Sequence, residues 1–122
     1  MSNEQFKSKE NPIRDKSKAF AIRIVNLYKY LTEKRKEYVM SKQALRSGTS
    51  IGANVWESEY AQSRADFRSK MFIALKEANE TAYWLELLTD TNYLTPTQGK
   101  SILDDCNELI RILIAITKKL NQ

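Results

Sequence analysis

The stretch RSGTSIGANVWE, residues 46–57, holds two of the chain's three glycines within a run of small, mostly uncharged residues. Two interpretations fit such a run: a loop that binds phosphate, or a helix that has to be narrow. A phosphate-binding loop has the pattern G-x-x-x-x-G-K-[ST] after a strand, or G-x-G-x-x-G. Gly48 and Gly52 match neither pattern, and a strand here would have no hairpin partner elsewhere in the chain. The stretch is therefore predicted to be helical.

Within this helix the two glycines need a physical reason, since each costs about 1 kcal/mol relative to alanine. A neighbouring helix backbone that approaches closely would offset that cost. On a helical wheel both glycines lie on or beside the apolar side, and the opposite face carries short polar residues where a solvated helix would have Lys and Glu. These polar residues are Ser47, Ser50, Asn54 and Ser58. We therefore expect this helix to be covered on two sides, by its own bundle and by another subunit.

Caps and apolar periods predict three further helices. Asn11 followed by Pro12 is typical of a helix start, and residues 63–66 and 95–98 resemble capping boxes. The predicted helices cover residues 12–36, 39–60, 64–89 and 96–120, with short connections that favour antiparallel neighbours. The predicted fold is all-α: an antiparallel up-down-up-down four-helix bundle in one domain, residues 11–122. Residues 1–10 are predicted to be a disordered polar tail.

The third predicted helix is apolar nearly all round, which is typical of a buried helix. Outside its core stripe it carries Phe72, Ile73, Tyr83, Trp84 and Leu87. In a monomer these residues would form an exposed patch, so we expect a homo-oligomer in which they, together with Gly48, Gly52, Ser47 and Asn54, form helix-packing or subunit contacts. The alternative is a monomer with scattered surface aromatics.

The net charge of +5 is concentrated near the start of the chain. Residues 1–37 hold ten Lys or Arg against five Asp or Glu, and the rest of the chain is balanced. On the first predicted helix the basic residues form two stripes: Arg14, Lys18, Lys29 and Lys36 on one side, and Lys16, Arg23 and Lys34 on another. These stripes predict binding of RNA or DNA through phosphate contacts. The alternative is a solvated face that keeps the protein soluble.

Several kinds of chemistry have no residues to support them. The chain has no histidine and a single cysteine, Cys106, so neither a disulfide within the chain nor a histidine-based metal site is expected. Arg46 is expected to form a structural ion pair with Glu77 and Glu80. No catalytic residue, cofactor or metal is predicted, and the protein is expected not to be an enzyme. Without a leader-like or bilayer-length apolar segment, it is expected in the cytoplasm, away from membranes.

Two segments resemble a known family: YVMSKQALRSGTSIGANVWESEYAQS, residues 38–63, and ADFRSKMFIALKEANETAYWLELL, residues 65–88. They are similar to the four-helix-bundle proteins encoded in intervening sequences of 23S rRNA genes, over about residues 20–113. Ser58 departs from the Gly or Ala that is frequent in relatives, but it remains small. The resemblance implies a cyclic homo-oligomer, a pentamer in relatives, whose molecular function is mostly unassigned.

A branch related in fold, the accessory proteins of diversity-generating retroelements, binds nucleic acid and a reverse transcriptase through a basic pentamer surface. Transfer of that activity rests on fold and charge alone. Two functional hypotheses therefore remain open. The first is a non-enzymatic oligomer that binds RNA or DNA without sequence preference through its first helix. The second is a scaffold ring that docks another protein and does not bind nucleic acid.

Overall fold

The computed structural model describes residues 11–121 of the 122-residue chain. It contains four α-helices, α1 (Pro12–Glu33), α2 (Met40–Ser58), α3 (Arg64–Asp90) and α4 (Pro96–Leu120), and the described part has no β-strand. The all-α, four-helix prediction is confirmed. The predicted polar tail, residues 1–10, lies outside the described residues.

Local capping sets where three of the helices begin. Asn11 and Ser63 each accept a hydrogen bond from the amide three residues later, at 3.2 and 3.1 Å. At α4, Thr95 and Gln98 form a reciprocal capping box. Each cap satisfies amides that have no partner within the first helical turn. The predicted starts of α1, α3 and α4 are therefore confirmed.

The first helix ends three residues earlier than predicted, at Glu33. Lys36 has φ 55°, which is left-handed and interrupts the helix. The amide of Glu37 then donates to the Leu31 carbonyl at 2.9 Å. The chain turns here because the Glu37 side chain caps the start of α2, an interaction that apolar periodicity does not reveal. Differences of one or two residues at the other helix ends are ordinary for such boundaries.

One apolar stripe from each helix contributes to a single core. Ile24, Ile51, Met71, Leu85 and Leu113 have no exposed surface, and they come from all four helices. Helix α2 packs extensively against α1 and α3, and α3 packs against α4, whereas α1 and α4 touch over a smaller area. The line along which α1 and α4 meet is called the α1–α4 seam below.

The predicted close approach of a neighbouring backbone is confirmed at Gly52. A Cβ atom there would lie 3.3 Å from the Ser17 carbonyl oxygen on α1. At Gly48 the close neighbour is a side chain instead, because a Cβ atom would lie 2.8 Å from Cγ1 of Ile24. Both glycines let α1 and α2 pack together. Gly99 has a similar role that the sequence pattern did not reveal: its Cβ would overlap the Thr89 side chain.

Ser47 and Ser58 are buried between helices of the same chain. Ser47 therefore has the helix-packing role predicted for it. The expectation that a second subunit covers Ser47 and Ser58 is wrong, because helices of the same chain already bury them. The Thr81 hydroxyl on α3 lies 2.9 Å from the Ser47 hydroxyl, which itself donates to the Gln43 carbonyl. Ser58 donates to the Val55 carbonyl at 2.6 Å. Short hydroxyl side chains can be buried in this way because their own helix supplies the acceptor.

Candidate nucleic-acid interface

The structure divides the predicted basic residues into those with an acidic partner and those without. Lys16 Nζ lies 3.1 Å from Glu108 Oε1, and Arg23 lies 2.7 Å from Asp105 Oδ2. Both acids belong to α4, across the seam from α1. Exposed pairs of this kind add little stability, but they put a negative charge beside each cation. Most of the predicted stripe of Lys16, Arg23 and Lys34 is therefore compensated by α4.

Arg14 also has acidic neighbours. Its guanidinium lies 3.4 Å from Asp15 and 3.5 Å from Glu59. Glu59 is only 5% exposed, and its Oε1 makes no hydrogen bond, so Arg14 is the charge partner of a buried carboxylate. Releasing Arg14 to bind a ligand would leave that carboxylate uncompensated. Arg14 is therefore better explained as a structural residue than as a phosphate contact.

Four of the seven predicted basic residues remain available. Lys18, Lys29, Lys34 and Lys36 are exposed, and none forms an ion pair within residues 11–121. Three of them, at positions 29, 34 and 36, lie at the end of α1 and in the loop that follows. The available positive charge is thus concentrated at one end of α1.

The loop after α1 is held by Arg35, which the sequence pattern did not single out. Its guanidinium donates to the Tyr93 carbonyl at 2.8 Å and to the Asn92 carbonyl at 3.1 Å, and it lies over the Tyr93 ring at 5.2 Å. The α1–α2 and α3–α4 loops therefore meet at the same end of the molecule. Because the acceptors are carbonyl groups, the positive charge of Arg35 is not cancelled.

Glu37 fixes the other half of this loop. Its carboxylate accepts hydrogen bonds from the amides of Val39, Met40 and Ser41 at 3.1, 3.0 and 2.8 Å. Burial raises the pKa of the Glu37 carboxyl, but the hydrogen bonds from these amides and from Ser41 outweigh burial, so the pKa lies below its ordinary value. The Glu37 carboxylate therefore caps the first turn of α2 from two residues before the N-cap position, which is Val39.

Two shallow grooves flank α1. One, of about 370 Å³, lies between α1 and α2 and is lined by residues that include Lys18, Gly52 and Trp56. Trp56 is 56% exposed. The other, of about 490 Å³, lies over the α1–α4 seam and is lined by residues that include Tyr30 and Gln98. Neither groove gathers several charged groups without partners.

The structure brings together the predicted partners Arg46, Glu77 and Glu80. Arg46 lies 3.1 Å from Glu77 and also contacts Glu80, which accepts a hydrogen bond from the Trp84 indole at 3.0 Å. Glu77 is largely buried whereas Arg46 is half exposed, so the cluster lies at the surface between α2 and α3. Because both carboxylates have Arg46 as a partner, the cluster is a structural link between helices.

The residues predicted for helix packing or self-association fall into two groups. Gly48 and Ser47 are buried within the chain, so neither is available to another subunit. Gly52, Asn54, Phe72, Ile73, Tyr83, Trp84 and Leu87 retain some exposure. Tyr83 is the most exposed of the apolar members, at 57%. Its ring packs edge-on against that of Trp84, with the two ring centroids 5.1 Å apart. A partly exposed aromatic face is therefore present on α3.

Cys106 is buried, and its thiol donates to the Ala78 carbonyl at 3.3 Å. Burial raises the pKa of this thiol to about 12, which keeps it protonated. Among residues 11–121, no three His, Cys, Asp or Glu side chains are grouped so as to hold a metal ion. Nor does any helix in that range have the length and apolar character needed to cross a bilayer.

Comparison with known proteins connects this fold to a family. The model of the 23S rRNA-intervening sequence protein family matches residues 9–115. A solved structure, of a protein with unknown function from the S23 ribosomal protein family of Bacteroides thetaiotaomicron, is 63% identical and has a TM-score of 0.86. The alignment covers 87% of this chain and 98% of that one. No curated protein matches the sequence. The chain therefore belongs to the 23S rRNA-intervening sequence protein family.

Proposed function

We propose that this protein is a non-enzymatic homo-oligomer that binds RNA or DNA through phosphate contacts, without reading sequence. The observation that carries the proposal is the group of exposed lysines without ion pairs in the described chain, at positions 18, 29, 34 and 36. Lysine ammonium groups without acidic partners can replace the counterions condensed on a phosphate backbone. The contact region is therefore narrower than the whole basic helix and centres on the end of α1.

The arrangement of the other ionisable groups supports a role in binding. The Cys106 thiol is buried and protonated, and the Glu37 carboxylate is used as a helix cap. Glu77 and Glu80 share Arg46. Each of these groups thus has a structural partner, whereas the lysines at the end of α1 have none among the described residues. Phosphate binding requires only such available cations.

We further propose an up-down-up-down helix order and a cyclic assembly, pentameric as the family resemblance implies. Several copies would multiply the four lysines and give avidity without new contacts within a subunit. The partly exposed residues of α3, chiefly Ile73, Tyr83 and Trp84, are the proposed self-association surface. Light scattering would measure the assembled mass. A monomeric mass at the concentrations used for binding would contradict the assembly proposal.

The binding proposal is tested by fluorescence anisotropy with labelled RNA and DNA between about 50 and 200 mM salt. We expect affinity to fall steeply with salt and to differ little between sequences. The triple variant Lys29→Gln, Lys34→Gln, Lys36→Gln should bind more weakly. Its salt slope on duplex DNA should be smaller in magnitude, by about 0.9 for each phosphate that the variant no longer neutralises.

A matched control is the triple variant Lys76→Gln, Lys118→Gln, Lys119→Gln, which removes the same charge from positions on α3 and α4. If nucleic acid contacts the lysines at the end of α1, this control should bind RNA and DNA much more tightly than the α1 variant. Equal weakening of both variants would mean that only net charge matters. Absence of binding at the lowest salt would refute the proposed function.

A second candidate is a scaffold that docks another protein. It is favoured by exposed apolar side chains on α3 and α4, including Ile73, Tyr83 and Ile114, which are 39%, 57% and 49% exposed. Co-purification of a defined protein that survives nuclease treatment and is abolished by Tyr83→Ala would support this role. Disappearance of the same protein on nuclease treatment would favour the nucleic-acid role.

A further inference from the structure

We propose that the loop between α1 and α2 is a single-strand binding site, in which an unpaired base stacks on Tyr38 while neighbouring lysines contact the phosphates. This inference rests on the proposed function and adds the class of nucleic acid to it. Its starting observation is a pair of exposed apolar side chains, Tyr38 at 59% and Val39 at 74% exposure. Both side chains are exposed although hydrogen bonds fix the loop that carries them.

The loop is anchored on both sides of Tyr38. On one side, Arg35 is bound to two carbonyls of the α3–α4 loop, and on the other the Glu37 carboxylate holds three consecutive amides. The Ser41 hydroxyl also donates to the Glu37 carbonyl at 2.8 Å. A ring presented from such a loop loses little conformational freedom when it binds, which favours affinity. Tyr38 is therefore displayed by a preorganised segment.

The charge around Tyr38 suits a phosphate backbone. Residues 29–42 contain Arg35 and four lysines. None of these lysines, Lys29, Lys34, Lys36 and Lys42, forms an ion pair within the described residues. The same segment contains two carboxylates. That of Glu37 is buried and capped by amides, which leaves Glu33 as the exposed acid of the segment. The loop is thus positively charged on both sides of the ring.

Tyr38 differs in this respect from the other exposed tyrosines. Within five positions of Tyr38 the sequence has four Lys or Arg against two Glu. The same window has one Arg against two Glu around Tyr60, and two Glu with no Lys or Arg around Tyr83. An exposed aromatic ring among cations is the combination that single-stranded nucleic acids bind, since bases stack and phosphates pair with Lys or Arg. In a duplex the bases are already stacked on one another. The lysines alone would bind both forms, whereas a contribution from Tyr38 favours the single strand.

The test compares labelled single-stranded RNA and DNA of about 16 nucleotides with the matching duplexes, using the full chain and fluorescence anisotropy. We expect the single strands to bind more tightly than the duplexes. Tyr38→Ala should weaken single-strand binding by at least about five-fold and leave duplex binding nearly unchanged. Tyr38→Phe should retain the preference because stacking needs only the ring.

Tyr60→Ala is the matched control, since Tyr60 is 68% exposed but lies where acids outnumber basic residues in the sequence, and it is not part of the proposed self-association surface. It should leave both affinities unchanged. Tyr38→Trp adds a direct signal: its extra indole fluorescence should be quenched by the single strand and not by the duplex. Circular dichroism of each variant checks that the helices are intact.

The outcomes separate this inference from the proposed function. If the lysine variants stop binding but Tyr38→Ala does not, the proposed function stands and the stacking site is refuted. If no nucleic acid binds at low salt, both fail. If Tyr38→Ala instead abolishes binding to vesicles of anionic phospholipid, while oligonucleotide binding is unaffected, the loop is a membrane contact and the inference is overturned.

Discussion

The side chain of Ile24 on α1 occupies the space that a side chain on Gly48 of α2 would need. Cγ1 and Cγ2 of Ile24 lie 2.8 and 2.9 Å from the position of a Cβ atom on Gly48. Ile24 has no exposed surface, so these branched carbons cannot move into solvent. The residue pair therefore sets how closely α1 and α2 pack.

Gly48→Ala is expected to lower the free energy of unfolding by about 1–2 kcal/mol, since overpacking outweighs the gain in helix propensity. Chemical denaturation would measure the change. In an Ile24→Ala background the clashing carbons are absent, so the same Gly48→Ala change should become stabilising. Ala53→Leu, at an exposed position of the same helix, should shift stability by no more than about 0.5 kcal/mol. A neutral Gly48→Ala would contradict the packing argument.

Ser47 and Thr81 form a buried polar link between α2 and α3. Ser47→Ala and Thr81→Val should each cost about 1 kcal/mol of stability. The double variant should cost less than the sum, by about 0.5 kcal/mol or more, because the first change already removes the shared bond. Denaturation of all four proteins closes this cycle. Full additivity would show that the two hydroxyls do not interact.

The lowered pKa of the Glu37 carboxyl predicts that the stability of the protein falls in acid. Its folded-state pKa lies below the ordinary value, so its contribution is fully present above that ordinary value. As the pH falls through the lower folded-state pKa, protonation removes the contribution. Glu37→Gln should lose about 1 kcal/mol near neutral pH and show a smaller stability decrease in acid. Melting temperatures measured between neutral and acidic pH would show the difference. Parallel curves for the two proteins would contradict the capping role.

The ion pairs across the α1–α4 seam predict a gain in binding when the acids are neutralised. Asp105→Asn combined with Glu108→Gln leaves Arg23 and Lys16 without their partners. Affinity for RNA and DNA at low salt should rise, and the magnitude of the salt slope should increase by up to about 2. Lys100 supplies the control: Asp104→Asn removes one charge from an i,i+4 pair within α4 and should have a smaller effect. Unchanged binding in the double variant would show that this stripe does not face the ligand.

Cys106 is predicted to be unreactive in the folded protein. Its thiol pKa of about 12 and its burial both disfavour the thiolate, which is the reactive form. A thiol reagent at mildly alkaline pH should label Cys106 only after denaturation. Mass spectrometry before and after adding denaturant would measure the labelled fraction. Rapid labelling of the native protein would indicate that the core around Cys106 opens readily.

Much of the architecture could be predicted because it depends on local patterns. The start signals at Asn11, Ser63 and Thr95 involve partners three residues away, and the apolar periods depend on helix geometry alone. The predicted end of α1 is wrong because it depends on a loop: Glu37 caps the next helix and the chain turns at Lys36. A helical wheel also gives the direction in which Ser47 leaves the helix axis, but it does not show which neighbouring helix covers this residue.

The candidate site was less predictable than the fold because compensation of charge acts over long sequence separations. Lys16 and Glu108 are 92 positions apart, and Arg23 and Asp105 are 82 apart. Sequence periodicity places the basic residues on stripes of α1, but it carries no information on the acids that α4 brings alongside. The Tyr38 loop could not be recognised for a similar reason, since its anchoring depends on carbonyls at positions 92 and 93.

The sequence by itself thus determined the number of helices, their caps and the need for a narrow second helix, because these follow from hydrogen bonds and side-chain periods within one element. Tertiary structure decided which small residues are buried, which cations have an acidic partner and which aromatic ring is exposed on an anchored loop. Those properties depend on contacts between elements distant in the chain, and such contacts exist only after the helices have packed.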